Sequence, residues 1–292
     1  MVKHLIVGFL SLLPFLVEGQ SFYAIRRPRN LTIYGGTGTA LYKGELVNPQ
    51  TLGKIRYNIL FGSEYIFSSR FTVKGELIWF NIAGTDAKAD DDRVERNLSF
   101  TSNNQELSVH GTVHLLKEPK QFYKRSAFNL YAFAGIGLLH INPKAEYNGK
   151  KYPLQPLQTE GVHYSRFQAS IPYGFGVKIK INPLYNLIIE GGYRSTFTDY
   201  LDDMSAREYV DPALLKGGVD GLSAKLSDRR RERDPDYPIR PGLGVRGNPK
   251  ENDGYFLMNV KIQYYLAYEI GPNREANKYY RKKRKNFNPR KR

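Results

Sequence analysis

The stretch RFQASIPYGFGVKIKI, Arg166 to Ile181, decides how the rest of the chain is read. Phe167, Ala169, Ile171, Tyr173, Phe175, Val177, Ile179 and Ile181 occupy every second position. Arg166, Gln168, Ser170, Gly174, Gly176, Lys178 and Lys180 fill the positions between, with Pro172 the one awkward member. Side chains of an extended strand point alternately to opposite faces, so this is a strand with one apolar and one polar side. It is also longer than the ~10 residues that carry a tilted strand across a bilayer.

The same alternation recurs seven times. Tyr255 to Tyr268 sets Phe256, Met258, Val260, Ile262, Tyr264, Leu266 and Tyr268 against Asn259, Lys261 and Gln263. Ile55 to Phe67 sets Ile55, Tyr57, Ile59, Phe61, Tyr65 and Phe67 against Arg56, Asn58, Gly62 and Glu64. Leu31 to Tyr42, Phe71 to Ile82, Glu106 to Leu116, Phe128 to Ile141 and Tyr185 to Thr198 complete a set of eight.

A soluble β-sandwich alternates in the same way, and two further features favour a membrane barrel. Connection lengths alternate. Ser68 to Arg70, Lys117 to Ala127 and Asn182 to Leu184 are the shorter ones. Lys43 to Lys54, Asn81 to Gln105, Asn142 to Ser165 and Asp199 to Gly254 are the longer ones. Outer-membrane barrels combine short periplasmic turns with long external loops, and an even strand count puts both termini in the periplasm. Aromatic residues also collect near strand ends. Phe67, Phe71, Phe128, Tyr185, Tyr264 and Tyr268 lie toward the short turns, and Tyr42, Trp79, Phe80, Phe167, Phe197 and Phe256 toward the long loops. Two such girdles are expected where a barrel meets the two interfaces. The expected fold is all-β, an eight-stranded antiparallel transmembrane β-barrel with long extracellular loops, over residues 31–268.

The chain opens with Lys3 and His4, then an apolar run from Leu5 to Val17, then Val17 and Gly19 before Gln20. That run is too short to span a bilayer as a helix and reads as a signal peptide, residues 1–19, followed by a periplasmic segment, 20–30. No other apolar run reaches the length of a membrane helix. The mean hydropathy of −0.51 does not argue against a barrel, whose lumen and loops are polar. The absence of Cys removes disulfide scaffolds, thiol catalysis and thiolate metal sites. The net charge of +16 is unevenly placed: Arg274 to Arg292 holds ten Lys/Arg and one Glu, which is +9 and leaves +7 elsewhere. In an exported chain nucleic acid is not an expected partner. The tail, residues 269–292 with Arg281, Lys282, Lys283, Arg284 and Lys285, is either a solvated extension or an electrostatic arm for an acidic partner.

The residues that bear chemistry are sparse. His110 and His114 would pair around a metal on a helix, but on a strand they stand about 13 Å apart. Glu64, Glu76, Glu190, Arg56, Lys74, Lys178, Arg194 and Lys261 fall on the lumenal face. An eight-stranded interior is narrow enough for side chains to fill, so these read as a paired plug rather than an ion path. His140, His163, Ser165, Asp199, Asp202 and Asp203 gather near the long-loop end without a nucleophile motif. Asp199, Asp202 and Asp203, and the run Asp90, Asp91, Asp92, lack EF-hand spacing and read as solvated loop acid rather than a hard-cation site. No catalytic residue, cofactor, metal site or small-molecule substrate is expected. Within Asp199 to Gly254, Asp211 and Pro212 look like a helix cap and first position, with Leu214, Leu215, Leu222 and Leu226 at partial helical spacing.

Several ordered motifs carry a family resemblance. The first is Thr37-Gly38-Thr39-Ala40-Leu41-Tyr42-Lys43-Gly44-Glu45-Leu46. Asn142-Pro143-Lys144-Ala145 and Leu154-Gln155-Pro156-Leu157-Gln158-Thr159-Glu160-Gly161 follow. Next come Ser170-Ile171-Pro172-Tyr173-Gly174-Phe175-Gly176-Val177 and Gly192-Tyr193-Arg194-Ser195-Thr196-Phe197-Thr198-Asp199-Tyr200-Leu201-Asp202-Asp203. Asp211-Pro212-Ala213-Leu214-Leu215, Arg246-Gly247-Asn248-Pro249 and Asn252-Asp253-Gly254-Tyr255 complete the series. In this order the chain resembles PorG-like outer-membrane proteins of the type IX secretion system, over almost its whole length beyond the leader. The resemblance implies a small non-catalytic barrel in outer-membrane lipid, associated with a periplasmic ring lipoprotein and its partner subunit in protein export and, in some bacteria, gliding. The basic tail has no counterpart among these motifs. Two other functions remain open on the residues alone: an outer-membrane enzyme acting on lipid or peptide through His140 or His163, and a barrel that binds a surface ligand through its 199–254 loop.

Overall fold

The structure, a computed structural model, describes residues 29–46, 56–88, 91–119, 121–238 and 244–267. The expected signal peptide, the basic tail with Arg281 to Lys285, and Asp90 lie outside the described residues.

Eight long strands form where the alternation predicts them. They are β1 (Leu31–Lys43), β2 (Arg56–Ile66), β3 (Phe71–Thr85), β4 (Ser99–His114), β5 (Phe128–His140), β8 (Phe167–Lys180), β9 (Tyr185–Thr196) and β10 (Gly254–Tyr265). A short hairpin, β6 (Pro143–Tyr147) and β7 (Lys150–Pro153), lies between β5 and β8. The ladder order is β3-β2-β1-β10-β9-β8-β5-β4, and β3 pairs with β4 to close the ring. Every pairing is antiparallel. The fold is a closed eight-stranded antiparallel β-barrel. Closure removes both sheet edges, so each strand's backbone amides meet a neighbour on either side.

The two faces are sorted as the sequence dictates. Along β10, Tyr255, Leu257, Asn259, Lys261, Gln263 and Tyr265 are buried while Phe256, Met258, Val260 and Ile262 are exposed. Along β8, Phe167, Ile171, Tyr173, Phe175 and Ile179 face outward and Ser170 and Lys178 inward. Phe175 is 76 % exposed and Lys178 only 3 %. A water-soluble core would show the reverse, so the barrel is of the outer-membrane type, with apolar side chains outside and polar ones inside. Pro172 also finds its explanation. The β5–β8 ladder breaks between Ala134↔Tyr173 and Gly137↔Ser170, where a residue without N–H cannot donate. Two glycines make the narrow interior possible: a Cβ at Gly176 would lie 2.3 Å from the Tyr131 ring, and one at Gly62 2.5 Å from the Tyr34 ring.

The short-turn end carries the expected girdle, except that Tyr268 lies outside the described residues. Phe67 stacks on Phe71 with ring centroids 6.3 Å apart, and Tyr185 meets Tyr264 at 5.0 Å. At the other end Trp79, Phe167, Phe197 and Phe256 point outward, but two expected girdle members do not. Phe80 is buried and stacks on Tyr255 at 4.7 Å. Tyr42 turns inward to hydrogen-bond Asp202 and Asp253. Trp79 and Phe80 are consecutive, so only one of them can face lipid.

About half of the expected connection Asn81 to Gln105 is strand. β3 and β4 stay paired as far as Thr85↔Ser99, and only 86–98 is loop, with the short helix α1 (Asp91–Arg96) inside it. The polar run Thr101 to Gln105 hides this extension, because ladder hydrogen bonds need no apolar face outside the membrane. The β6–β7 hairpin pairs with the same extension through Thr101↔Lys144 and Ser102↔Pro143. It turns at Asn148 (φ 49°) and Gly149 (φ 74°), the left-handed pair that tight hairpins require.

Candidate functional site

Two regions concentrate polar chemistry, the lumen and the long-loop mouth. In the lumen four carboxylates meet four cations, all buried: Glu64, Glu76, Glu106 and Glu190 with Lys74, Lys178, Arg194 and Lys261. Glu190 accepts hydrogen bonds from Lys261 at 2.6 Å, Tyr131 at 2.6 Å and Lys74 at 2.9 Å. Lys261 also bonds Glu76 on the facing wall. Glu64 accepts from Thr72 at 2.6 Å, from Lys178 at 3.0 Å and from Gln263. Arg194 lies between Glu106 at 3.8 Å and Glu76 at 4.0 Å, and Tyr255 donates to Glu106. A buried ion without a partner costs several kcal/mol, so equal numbers of each sign in contact are what a filled barrel requires. The paired plug expected from the sequence is present. Arg56, expected with it, is only half-buried at the start of β2. Glu106 is a lumenal member that the sequence reading placed only at the start of a strand.

Aromatic side chains fill the space between the ions. Lys74 sits 4.0 Å above the Tyr131 ring and Lys261 5.1 Å from the Tyr34 ring. His110 packs tilted against Phe133 at 5.2 Å, and His114 packs on Tyr131 with Nε2 3.6 Å from Glu64. Both histidines are lumenal filling, as their strand spacing implied. The short-turn end is stoppered as well. Arg125 donates to Asn186 at 2.9 Å and to the carbonyls of Phe122, Asn182, Pro183 and Tyr185, and covers the Tyr265 ring at 4.6 Å.

The long-loop mouth is covered by structured chain. Asp211 caps a 3₁₀ turn, Pro212–Leu214, by accepting from the Ala213 amide at 2.9 Å. Leu222 and Leu226 lie on the helix α2, Leu222–Ser227. The leucine spacing thus yields two short helical pieces rather than one helix, split by Gly217, Gly218 and Gly221, of which the first two have positive φ. Leu46, Leu98, Leu154, Leu201, Met204 and Leu226 bury together beneath this cap, continuous with Phe80 and Tyr255 at the top of the lumen.

Arg246 is the hub of the cap. It bonds Glu160, Thr159 at 3.3 Å, the Asp203 carbonyl at 3.3 Å and the Ser227 carbonyl at 3.2 Å. Glu160 also accepts the amides of Ser205 and Ala206 at 3.1 and 3.0 Å. Arg96 grips Asp86 through two bonds of 2.8 Å and reaches the Arg246 carbonyl. The motif blocks around Glu45, Glu160, Asp203, Arg246 and Asp253 therefore meet in one place.

Here the reading of solvated loop acid fails. Asp199, Asp202 and Asp203 are all buried, because Glu45, Asp253 and the cap close over them, a contact that local sequence does not encode. Burial pushes the Asp199 carboxyl up to about 7, with the charge of Glu45 adding to it and the Ser205 side chain opposing it. Burial raises Asp203 to about 6 against the pull of Arg246. Asp202 and Asp253 are raised well above the usual carboxylate range, first by burial and then by their acidic neighbours. Glu45, Asp199 and Asp253 place carboxylate oxygens within 4.8 Å of one another. Beside them lies a cleft of about 690 Å³ lined by Glu45, Arg93, Arg96, Tyr209, Arg230 and Tyr237 among others.

The residues named for an enzyme are not assembled. His140 hydrogen-bonds Gln105 at 2.9 Å and packs on Phe167, whose ring faces outward. His163 is exposed and approaches Gln155 at 3.5 Å. Ser165 accepts the Phe167 amide at 3.1 Å.

No protein-family model matches the sequence, and no curated protein matches it. Among solved structures the chain is similar to Neisserial surface protein A, at 8 % identity and a TM-score of 0.40, over 81 % of this chain and 97 % of that one. It is similar to Ail of Yersinia pestis at 12 % identity and 0.36, over 82 % and 100 %. It is similar to OprG of Pseudomonas aeruginosa at 11 % and 0.38, over 82 % and 98 %.

Proposed function

We propose that this chain is a non-catalytic component of the type IX protein secretion machinery, a barrel that anchors or organises a periplasmic ring at the inner face of the outer membrane. The observation that supports a structural role is the filled lumen: four carboxylates and four cations, mutually paired, with aromatic side chains between them. Among the described residues this interior is filled by side chains, which favours the surfaces and ends of the barrel as the places where it works. The secretion role rests on the ordered resemblance motifs. Several of these supply contacts of the cap, among them Glu45, Glu160, Asp203, Arg246 and Asp253. Short turns and both termini then face the periplasm, where a ring lipoprotein and its partner subunit are reachable and where the basic tail adds charge. Deleting the gene from its own host tests the role. Secreted cargo should disappear from the medium and return when the full chain is restored; undiminished secretion would overturn the proposal.

One observation favours a second reading, a barrel that holds a surface ligand. The cap cleft has Arg230 held between Tyr209 at 4.0 Å and Tyr237 at 4.5 Å. Shortening the 199–254 loop while secretion persists would favour this reading over the first.

A further inference from the structure

The carboxylates of Glu45, Asp199 and Asp253 come from three places that the barrel makes adjacent. Glu45 follows β1, Asp199 follows β9 and Asp253 immediately precedes β10, and these three strands are consecutive in the ring. Asp199 and Asp253 stand at the two ends of the long loop, whose backbone is already pinched by the Asp253 amide bonding the Thr198 carbonyl at 3.1 Å.

The group is short of positive charge. Asp199 is 7 % exposed, and neither of its carboxylate oxygens accepts a hydrogen bond of good geometry; the Ser205 side chain comes near enough only to offset part of the effect of burial. Glu45 Oε2 is likewise without a partner, while its Oε1 accepts the Asn248 amide at 3.1 Å. Asp253 accepts the Leu201 amide at 3.0 Å and the Tyr42 hydroxyl at 2.7 Å. That same hydroxyl lies 2.8 Å from Asp202. One hydroxyl proton cannot serve two carboxylates, so an added proton or cation is needed here. Arg96 acts on Glu45 through its charge, but its side chain is committed to Asp86 through two hydrogen bonds. Glu160 and Glu251 add further negative charge around Asp199.

We propose that Glu45, Asp199 and Asp253 hold a hard divalent cation of the Ca²⁺ class, which ties both ends of the 199–253 loop to the end of β1. Three charged oxygen donors suit a hard ion. Oxygens within 4.8 Å of one another fit around Ca²⁺, whose bonds of about 2.3–2.6 Å allow opposite ligands to stand about 5 Å apart. Mg²⁺, at about 2.0–2.1 Å, would have to draw widely separated oxygens inward. Backbone carbonyls and water would complete the shell. Placed on the loop side, the site would meet external Ca²⁺, for which extracellular modules have Kd values of about 10⁻⁴–10⁻³ M. The inference is independent of which assembly the barrel serves.

The test uses the full chain refolded in detergent, stripped with chelator and titrated with Ca²⁺ alone, with Tb³⁺ luminescence as a second readout. The expected result is one saturable site, weakened at least tenfold by Asp199→Asn and by Glu45→Gln, and unchanged by Glu146→Gln, which removes an exposed acid on β6. A heat-modifiable gel shift shared by all variants establishes that the barrel has folded. Absence of saturable binding in the wild type would overturn the site, as would Asp199→Asn and Glu45→Gln that both fold and bind like the wild type.

Discussion

Lys261 and Glu190 meet inside the barrel with 2.6 Å between Nζ and Oε1, and Lys261 reaches on to Glu76 across the lumen. One ammonium thus joins β10 and β9 to β3, on the opposite wall. With Lys74 also on Glu190, the network fixes which strands can face each other.

Removing one partner leaves the others as uncompensated buried charges. Glu190→Leu is expected to cost about 3–5 kcal/mol of barrel stability, read as a lowered urea midpoint. The double variant Glu190→Leu/Lys261→Met should lose less than the sum of the two single variants, by about 0.5–3 kcal/mol. Additive losses would mean the two residues are not energetically coupled.

A filled lumen should not conduct. In planar bilayers the purified barrel is expected to give no stepwise ion current at moderate voltage. Reproducible unitary steps that vanish with the heat-unfolded protein would show that the plug opens.

Arg246→Ala removes the hub of the cap and leaves Glu160 buried without its cation. Limited proteolysis should then cut within residues 199–253 at least tenfold faster than in the wild type, while the barrel keeps its heat-modifiable mobility. Equal cutting rates would place the rigidity of the cap elsewhere.

Asp203 gives the cap a pH dependence with a definite sign. Its carboxyl titrates at about 6 in the fold, above the ~3.9 of an unfolded aspartate. The folded state therefore holds the proton more tightly, and that contribution, complete below about pH 4, is lost as the pH rises through about 6. Relative to Asp203→Asn, the wild type should lose thermal stability across that window. A relative gain over the same window would contradict the environment described for Asp203.

Much of the barrel was legible because its physics is local. Alternation along Arg166 to Ile181 or Tyr255 to Tyr268 directly states which side chains meet lipid, and the paired lumen follows from the polar phase of the same strands. What stayed hidden depends on context. The polar residues from Thr101 to Gln105 carry no apolar phase, so the outer ends of β3 and β4 read as loop. Asn148-Gly149 was a hairpin signal, but Lys144 to Pro153 shows little alternation to flank it. Glu106 was legible in principle, since it shares its phase with His110 and His114. The acidic mouth was not, because Glu45 and Asp253 lie far apart in sequence and meet only when β1 pairs with β10.

The most direct test of the proposed role is affinity purification of the tagged protein from detergent-solubilised outer membranes, with and without residues 274–292. The account predicts that the full chain brings down a periplasmic ring lipoprotein with its partner subunit; loss of that recovery on truncation would assign the contact to the basic tail, and unchanged recovery would assign it to the barrel. Failure of either form to recover the ring components, under conditions that keep the ring itself intact, would contradict the secretion role.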